Sequence, residues 1–268
     1  MKKNATLPIL VIIPHGGLGV PEELSGYEAV GRFDLFMQSD TCANDIFSFG
    51  DLVAGTVDTD ISRLFVDLDR PYTALRPGQD SVIKKETLDG KPVFDENHFP
   101  DEIAIANIIQ RYYLPFHDTV KKIIDTGGVG LVLECHTSMA VGPKLSRDAG
   151  KPRPLVLLEY AVRGKEGPVD TCDPVLIEAL AAHLDKSFQG EECTVTQKII
   201  ASTSVSGGYI LRRYGTGSVP MIRLSLSRAL FLDDSHFSFE YMRVDERRLR
   251  HLREILWSAL SGFFRRHM

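Results

Sequence analysis

The sequence predicts an α/β protein: three layers, α/β/α, around a mixed, mostly parallel sheet. Two observations predict it. Continuous apolar runs of strand length alternate with segments of helical period. Several of those runs also end abruptly in polar or glycine-rich residues, as buried strands do where they leave the core for a loop.

In chain order, residues 7–13 (LPILVII) form an apolar run stopped by Pro14, which reads as a strand buried on both faces. Residues 34–49 carry Phe, Leu, Met and Ile at helical spacing and read as one helix. Residues 52–57 and 62–68 (SRLFVDL) read as strands. Residues 71–98 are rich in Pro, Gly and charge, a long excursion of the kind that serves as a substrate-facing flap. Residues 101–125 repeat apolar positions at helical spacing, with Pro115 as a kink and Gly127-Gly128 as the stop. GLVLECHTSM and PLVLLEY are two further buried strands. A helix over 174–188 follows Asp173-Pro174, a cap and a first-turn proline. A strand near 193–200, the stretch SVSGGYILRRYG, the strand VPMIRLSLSR and a charged amphipathic helix over 244–264 complete the chain. With no internal repeat or linker composition, residues 1–268 are expected to form one domain.

Composition excludes some functions. The net charge of −5 leaves no basic footprint for nucleic acid or an acidic membrane. No apolar run approaches the ~18–20 residues of a membrane span. The opening MKKNATLPILVIIPHGG is interrupted by Pro8 and lacks a small-x-small cleavage pattern, so it does not read as a secretion signal. Four scattered cysteines without a C-x-x-C pair fit free thiols in a cytoplasmic protein. The expected partner is a small molecule, with neither nucleic acid nor membrane; homo-oligomer formation is left open.

Ligands of open α/β sheets collect beyond the carboxyl ends of the strands. His15 follows LPILVII and His136 follows GLVLE, so two histidines stand at that place. One alone reads as a hydrogen-bonding turn residue; two at separate strand ends point to a site. Glu22 or Glu23 supplies a carboxylate near His15, and two imidazoles plus a carboxylate is a hydrolytic zinc set. In SRLFVDLDRP, strand alternation places Arg63, Phe65, Asp67 and Asp69 on one face. That pattern reads either as internal salt bridges or as Arg63 or Arg70 held for an anionic substrate. Gly207-Gly208 before Tyr209 reads either as a close backbone approach to a ligand or as a glycine turn before a strand. His117 reads either as a packed helix histidine or as a ligand.

The ordered blocks PHGGLGVPEEL, SDTCANDIF, SRLFVDLDRP, YYLPFHDTV, ECHTSM, VRGKEGPVDTCDP, SGGYILRRYG and LSLSRALFLDD resemble those of the N-formylglutamate amidohydrolase family over residues 10–235. The resemblance implies a fold like the zinc carboxypeptidases and aspartoacylase-type hydrolases, and Zn2+ or another divalent metal as cofactor. It implies His15, Glu23 and His136 as ligands, Arg63 as the oxyanion partner and Arg70 as the grip on the substrate carboxylate of an N-formyl or N-acyl amino acid. Asp69, Gly207, Gly208, Tyr209, Ser225 and Arg228 fall at substrate-binding positions by the same likeness. Two positions depart from the pattern. The family asparagine is Asp69, and the glutamate that serves as base in the carboxypeptidase-like relatives falls on Ser225, whose hydroxyl is far too weak a base. Three alternatives follow: Glu134 acts as the base or holds His136, the substrate differs, or the protein binds metal and small molecules without catalysis.

Overall fold

The structure is a computed structural model that describes residues 6–74, 80–96, 98–146, 148–191, 195–198 and 208–268. The chain runs through β1 (Leu7–Ile13), α1 (Arg32–Gln38), α2 (Ala43–Phe47), β2 (Val53–Asp58) and α3 (Glu102–Ile108). A π turn (Ile109–Tyr113) joins α3 to α4 (Leu114–Thr126), followed by β3 (Leu131–Ser138) and β4 (Val156–Glu159). Next come β5 (Ala161–Arg163), β6 (Pro168–Asp170), α5 (Pro174–Ser187), β7 (Val195–Lys198) and α6 (Tyr209–Tyr214). The last elements are β8 (Met221–Ser227), β9 (Phe237–Ser238), β10 (Arg243–Val244) and α7 (Glu246–His267). Among the described residues, no helix is long and apolar enough to cross a membrane.

Among the described residues, six strands form one sheet in the order β2-β1-β3-β8-β4-β7, parallel throughout except where β4 runs against β8. Helices cover both faces, giving the three layers the apolar runs require. On the first face Ile9, Val11, Ile13, Leu131, Leu133, Cys135, Ile222 and Leu224 pack against α2, α5 and α7. On the second face Leu10, Ile12, Val132 and Met221 pack with α3, α4 and α6. The next residues on that second face change character: Glu134 and His136 on β3, Arg223 and Ser225 on β8. A buried polar floor therefore begins where the apolar one stops, towards the carboxyl ends of the strands.

Three local expectations are corrected. Residues 34–49 form two short helices, because Ser39 to Cys42 leave the helical path and Cys42 takes a left-handed backbone, φ 59°. Asp40 N–H donates to the His15 carbonyl at 2.8 Å and Thr137 Oγ1 to the Thr41 carbonyl at 2.9 Å, tertiary bonds that outweigh helical propensity. Residues 62–68 are a chain of turns: Phe65 and Val66 N–H both donate back to the Ser62 carbonyl, and Leu64, Phe65 and Val66 are all buried. Strand alternation therefore does not apply there. Tyr209 begins a helix where a turn before a strand was one of the readings.

Other elements follow the sequence closely. Asp173 accepts from Val175 N–H with Pro174 in the first turn of α5, a cap of about 1 kcal/mol. Gly127 ends α4 at φ 83°. Pro115, which cannot donate and whose ring crowds the preceding turn, is absorbed by the π turn just before it. The excursion is a packed wall: Val82, Ile83, Val93 and Phe94 are buried in the core of the second face.

Candidate metal centre and its cleft

His15 leaves β1 on a turn that two glycines allow to lie flat against its neighbours. A Cβ on Gly16 would sit 2.1 Å from Asn44 Oδ1, and one on Gly17 would sit 2.3 Å from the Asp60 carbonyl carbon. His136 stands near the end of β3, directly across from Ser225 of β8. The break between α1 and α2 delivers Asp40 between the two rings, whose centroids are 5.2 Å apart. Asp40 Oδ2 is 2.7 Å from His136 Nδ1 and 3.7 Å from His15 Nδ1. All three side chains are buried, and their ligand atoms lie within 4.8 Å of one another.

The far nitrogens are anchored by carboxylates. His15 Nε2 lies 2.8 Å from Asp67 Oδ1, and His136 Nε2 lies 2.8 Å from Glu134 Oε1. Carboxylates behind both imidazoles fix ring orientation and tautomer, as in carboxylate–histidine–metal arrangements. Among the described residues, buried His15 Nδ1 has no hydrogen-bond partner. An orphaned imidazole nitrogen facing a carboxylate oxygen and a second imidazole is a donor set that fits zinc or a similar divalent ion.

Cations balance these acids. Burial opposes ionisation of Asp67, yet Lys84, at 2.7 Å, with Arg70 and Arg63, holds it well below the usual carboxylate range. Asp40 is likewise held low against its burial, chiefly by His136. His136 itself is raised to about 9: burial and Arg223 oppose its charge, and Asp40 and Glu134 more than offset them. Burial brings Lys84 down to about 8, with Arg70 and Arg63 adding to the effect. Arg228 is lowered to about 10 by burial; it donates to the Met37 carbonyl at 2.6 Å and to the Ser39 carbonyl, tying down the segment that carries Asp40.

The centre opens into a cleft of about 770 Å3. Of the residues the sequence singled out, Arg63, Arg70, His136, Ser225 and Arg228 line it, and the fold adds Lys84 and Arg223. Arg63 lies 3.3 Å from Asp67 and 3.9 Å from Asp40. Arg70 is buried, with Nη1 on the Asp69 carbonyl and, among the described residues, no partner for Nε.

The remaining expectations do not meet in the cleft. Glu23 is not brought to the histidines: its carboxylate takes Tyr112 Oη at 3.0 Å and Arg111 at 3.2 Å, and Asp40 stands beside the imidazoles instead. Asp69 is buried and does not line the cleft. It accepts from Gly208 and Ile210 N–H at 2.8 and 2.9 Å, capping α6, and pairs with Arg223 at 2.9 Å. Arg223 and Arg70 keep it below the usual carboxylate range despite burial. Gly208 thus spends its N–H on Asp69, and Tyr209 turns to Arg213, 2.7 Å from its hydroxyl. Gly207 lies outside the described residues. Glu134 is fully buried behind His136. His117 is a packed histidine, bonded to Tyr214 Oη and the Leu68 carbonyl, each at 3.0 Å.

Arg223, like Asp40 and Lys84, is a residue the sequence reading missed. Its guanidinium lies 2.9 Å from Asp69, 3.4 Å from Glu134 and 3.6 Å from Glu159. The Asp69–Glu134–His136 group, which by geometry alone could hold a metal, is thereby occupied by a guanidinium. Cys42, Cys135 and Cys172 are free thiols, and burial pushes Cys42 up to about 12.

Residues 7–232 match the family model for N-formylglutamate amidohydrolase. The chain belongs to the N-formylglutamate amidohydrolase family. It is a hydrolase acting on amide C–N bonds. An N-formylglutamate amidohydrolase from Ralstonia eutropha JMP134 superimposes with a TM-score of 0.71 at 16% identity, covering 98% of this chain and 95% of that one. A gene product from Agrobacterium tumefaciens gives a TM-score of 0.64 at 17% identity, with 96% and 92% covered. At such identities the likeness is one of fold. No curated protein matches the chain. Within the N-formylglutamate amidohydrolase fold, the departures at Asp69 and Ser225 are local: Arg223 neutralises the first, and the second leaves a hydroxyl beside His136.

Proposed function

We propose that this protein is a metal-dependent amidohydrolase that cleaves the amide of an N-formyl or N-acyl amino acid. The reading is carried by one observation: the buried, unpartnered Nδ1 of His15 faces the Asp40 oxygen that meets His136 Nδ1. His15, Asp40 and His136 would hold the ion, with Zn2+ the first choice for two imidazoles and a carboxylate. A bound divalent metal supplies Lewis acidity towards the amide carbonyl and makes water acidic near neutral pH.

The protein's own groups do the rest. Asp67 and Glu134 hold the two imidazoles in one tautomer, Nε2–H donating. Arg63, partly exposed at the cleft wall, presents a fixed positive charge to the oxygen on which negative charge develops. Arg70, buried and with one N–H unpartnered among the described residues, is suited to a substrate carboxylate, so the partner is a small anionic amide. Lys84 and Leu88 of the excursion wall the cleft and restrict water.

A second reading, a metal-bound small-molecule binder without catalysis, is favoured by Ser225, which puts a hydroxyl at the strand position beside His136. Metal analysis of the purified protein and deformylation and deacylation assays over a panel of N-acyl amino acids with added zinc separate the two. Turnover with stoichiometric zinc supports the amidohydrolase. Zinc without turnover supports the binder, and absence of zinc uptake refutes both.

A further inference from the structure

We propose that the acyl half of the substrate is an apolar chain longer than formyl, seated over Ser225 and ending against Leu157. The proposal rests on the amide-hydrolase reading above and names the amides that such a cleft selects.

The cleft has a cationic end. Asp67, which backs His15 just past β1, pairs with Lys84 at 2.7 Å and Arg63 at 3.3 Å, and Arg70 acts on the same charge. All three cations line the cleft. A substrate carboxylate is drawn to that end. On the hydrolase reading, the scissile carbonyl belongs at the centre formed by His15, Asp40 and His136, between β1 and β3. In an N-acyl amino acid the carbonyl carbon stands between the amine half and the acyl group. With the carboxylate held on the β1 side, the acyl group points the other way, across β8 towards β4.

That direction is apolar. β8 pairs Ser225 with His136, and β4 pairs Leu157 with Ser225, so the three share one row on one face of the sheet. Two strand spacings of ~4.8 Å put Leu157 roughly 10 Å from His136, and the residue between them is a serine. Alternation along β4 buries Val156 and Leu158 in the first-face core and leaves Leu157, half-buried, on the cleft wall. The loop from β3 to β4 has to cross the end of β8, because β8 lies between them and β4 runs against it. It brings Met139 and Leu145 to the cleft, and Leu145 leaves 42% of its surface in solvent. Leu145 N–H donates to the Leu88 carbonyl at 3.0 Å, so the excursion adds a fourth apolar side chain. Two arginines of the cleft are taken up within the protein: Arg153 by Asp148 at 2.6 and 2.8 Å, and Arg223 by Asp69, Glu134 and Glu159. An alkyl chain laid along this row removes its own surface and that of the leucines from water, a gain of about fourfold in affinity per methylene.

The test runs N-formyl-, N-acetyl-, N-butanoyl- and N-hexanoylglutamate on zinc-loaded wild type, Leu157→Trp and Leu157→Asn. For wild type kcat/KM should rise along the series, with hexanoyl exceeding acetyl at least ~tenfold. Leu157→Trp fills the end of the row and Leu157→Asn makes it polar; each should cut the hexanoyl-to-acetyl ratio about tenfold or more, with zinc content as in wild type. In the metal-free protein, calorimetry should find N-hexanoylglutamate bound at least ~tenfold more tightly than N-acetylglutamate, with a more negative heat-capacity change. A wild type that prefers formyl, or a ratio unmoved in both variants, overturns the apolar acyl site and leaves the hydrolase reading standing. A gain along N-formylglycine, N-formylalanine and N-formylleucine with none along the acyl series puts the chain on the amine side and overturns the assignment too. A zinc-loaded wild type that turns over none of these amides overturns the hydrolase reading and this proposal with it.

Discussion

Asp40 and His136, 96 residues apart in the chain, meet at 2.7 Å through Oδ2 and Nδ1. This contact places the acidic ligand on the break between α1 and α2, and it separates two candidates cleanly. Asp40→Ala, like His15→Ala with His136→Ala, should reduce zinc uptake to background by elemental analysis, whereas Glu23→Ala should retain wild-type zinc. Retention by the double histidine variant would remove the metal centre altogether. Loss in Glu23→Ala with retention in Asp40→Ala would restore the carboxylate first expected from the sequence.

Arg223 neutralises carboxylates that burial would otherwise strand. Removing one partner of a buried ionic network costs about 3–5 kcal/mol. Arg223→Met should therefore destabilise the fold by that amount in urea unfolding, with Arg223→Lys losing less. A cost below ~1 kcal/mol would show that Asp69 and Glu134 do not depend on this guanidinium.

His117 carries a pH dependence of opposite origin. Burial, with Arg213 adding to it, lowers His117 to about 4 from the ordinary 6.5. Between those values the unfolded chain binds a proton that the folded one refuses. Stability from this group is therefore complete above pH 6.5, falls as pH drops towards 4, and levels off below, by up to about 3 kcal/mol. Urea unfolding at pH 7 and pH 4.5 should show a smaller difference for His117→Gln than for wild type. Equal differences would mean that His117 does not titrate in this window.

Arg70 is expected to read the substrate's carboxylate. Arg70→Ala should lower kcat/KM at least tenfold for N-acyl amino acids while changing their carboxamide analogues by less than threefold. An equal loss on both would assign Arg70 to holding the cleft together through Asp69 and Asp80.

The two histidines were legible because each follows a continuous apolar run, and the end of a buried strand is a place that sequence marks clearly. Asp40 was hidden: its position depends on the bond from its N–H to the His15 carbonyl, which no helical period encodes. The trace it left was Ser39-Asp40-Thr41, three polar residues inside an amphipathic run, all buried in the fold. The acids and arginines of 62–70 were noticed for the right reason and given the wrong geometry, since turns rather than alternation bring Arg63 and Asp67 together. Arg223 could have been found. A lone arginine in the apolar strand MIRLSLS needs acidic partners, and the runs LVLE and LVLLE each supply one, Glu134 and Glu159.

The π turn at Ile109–Tyr113 carries one residue more than an α turn would, and that extra residue sets the phase of everything after it. Its Tyr113 hydroxyl donates to the Arg70 carbonyl at 2.8 Å, and one turn later His117 meets the Leu68 carbonyl. Deleting a single residue from this segment would let α3 and α4 fuse into a regular helix, at the cost of rotating one against the other by about 100°. Both props under the Arg70 segment would swing away. A length change some 43 residues downstream in sequence, on a helix that does not line the cleft, would thus be felt at its buried arginine.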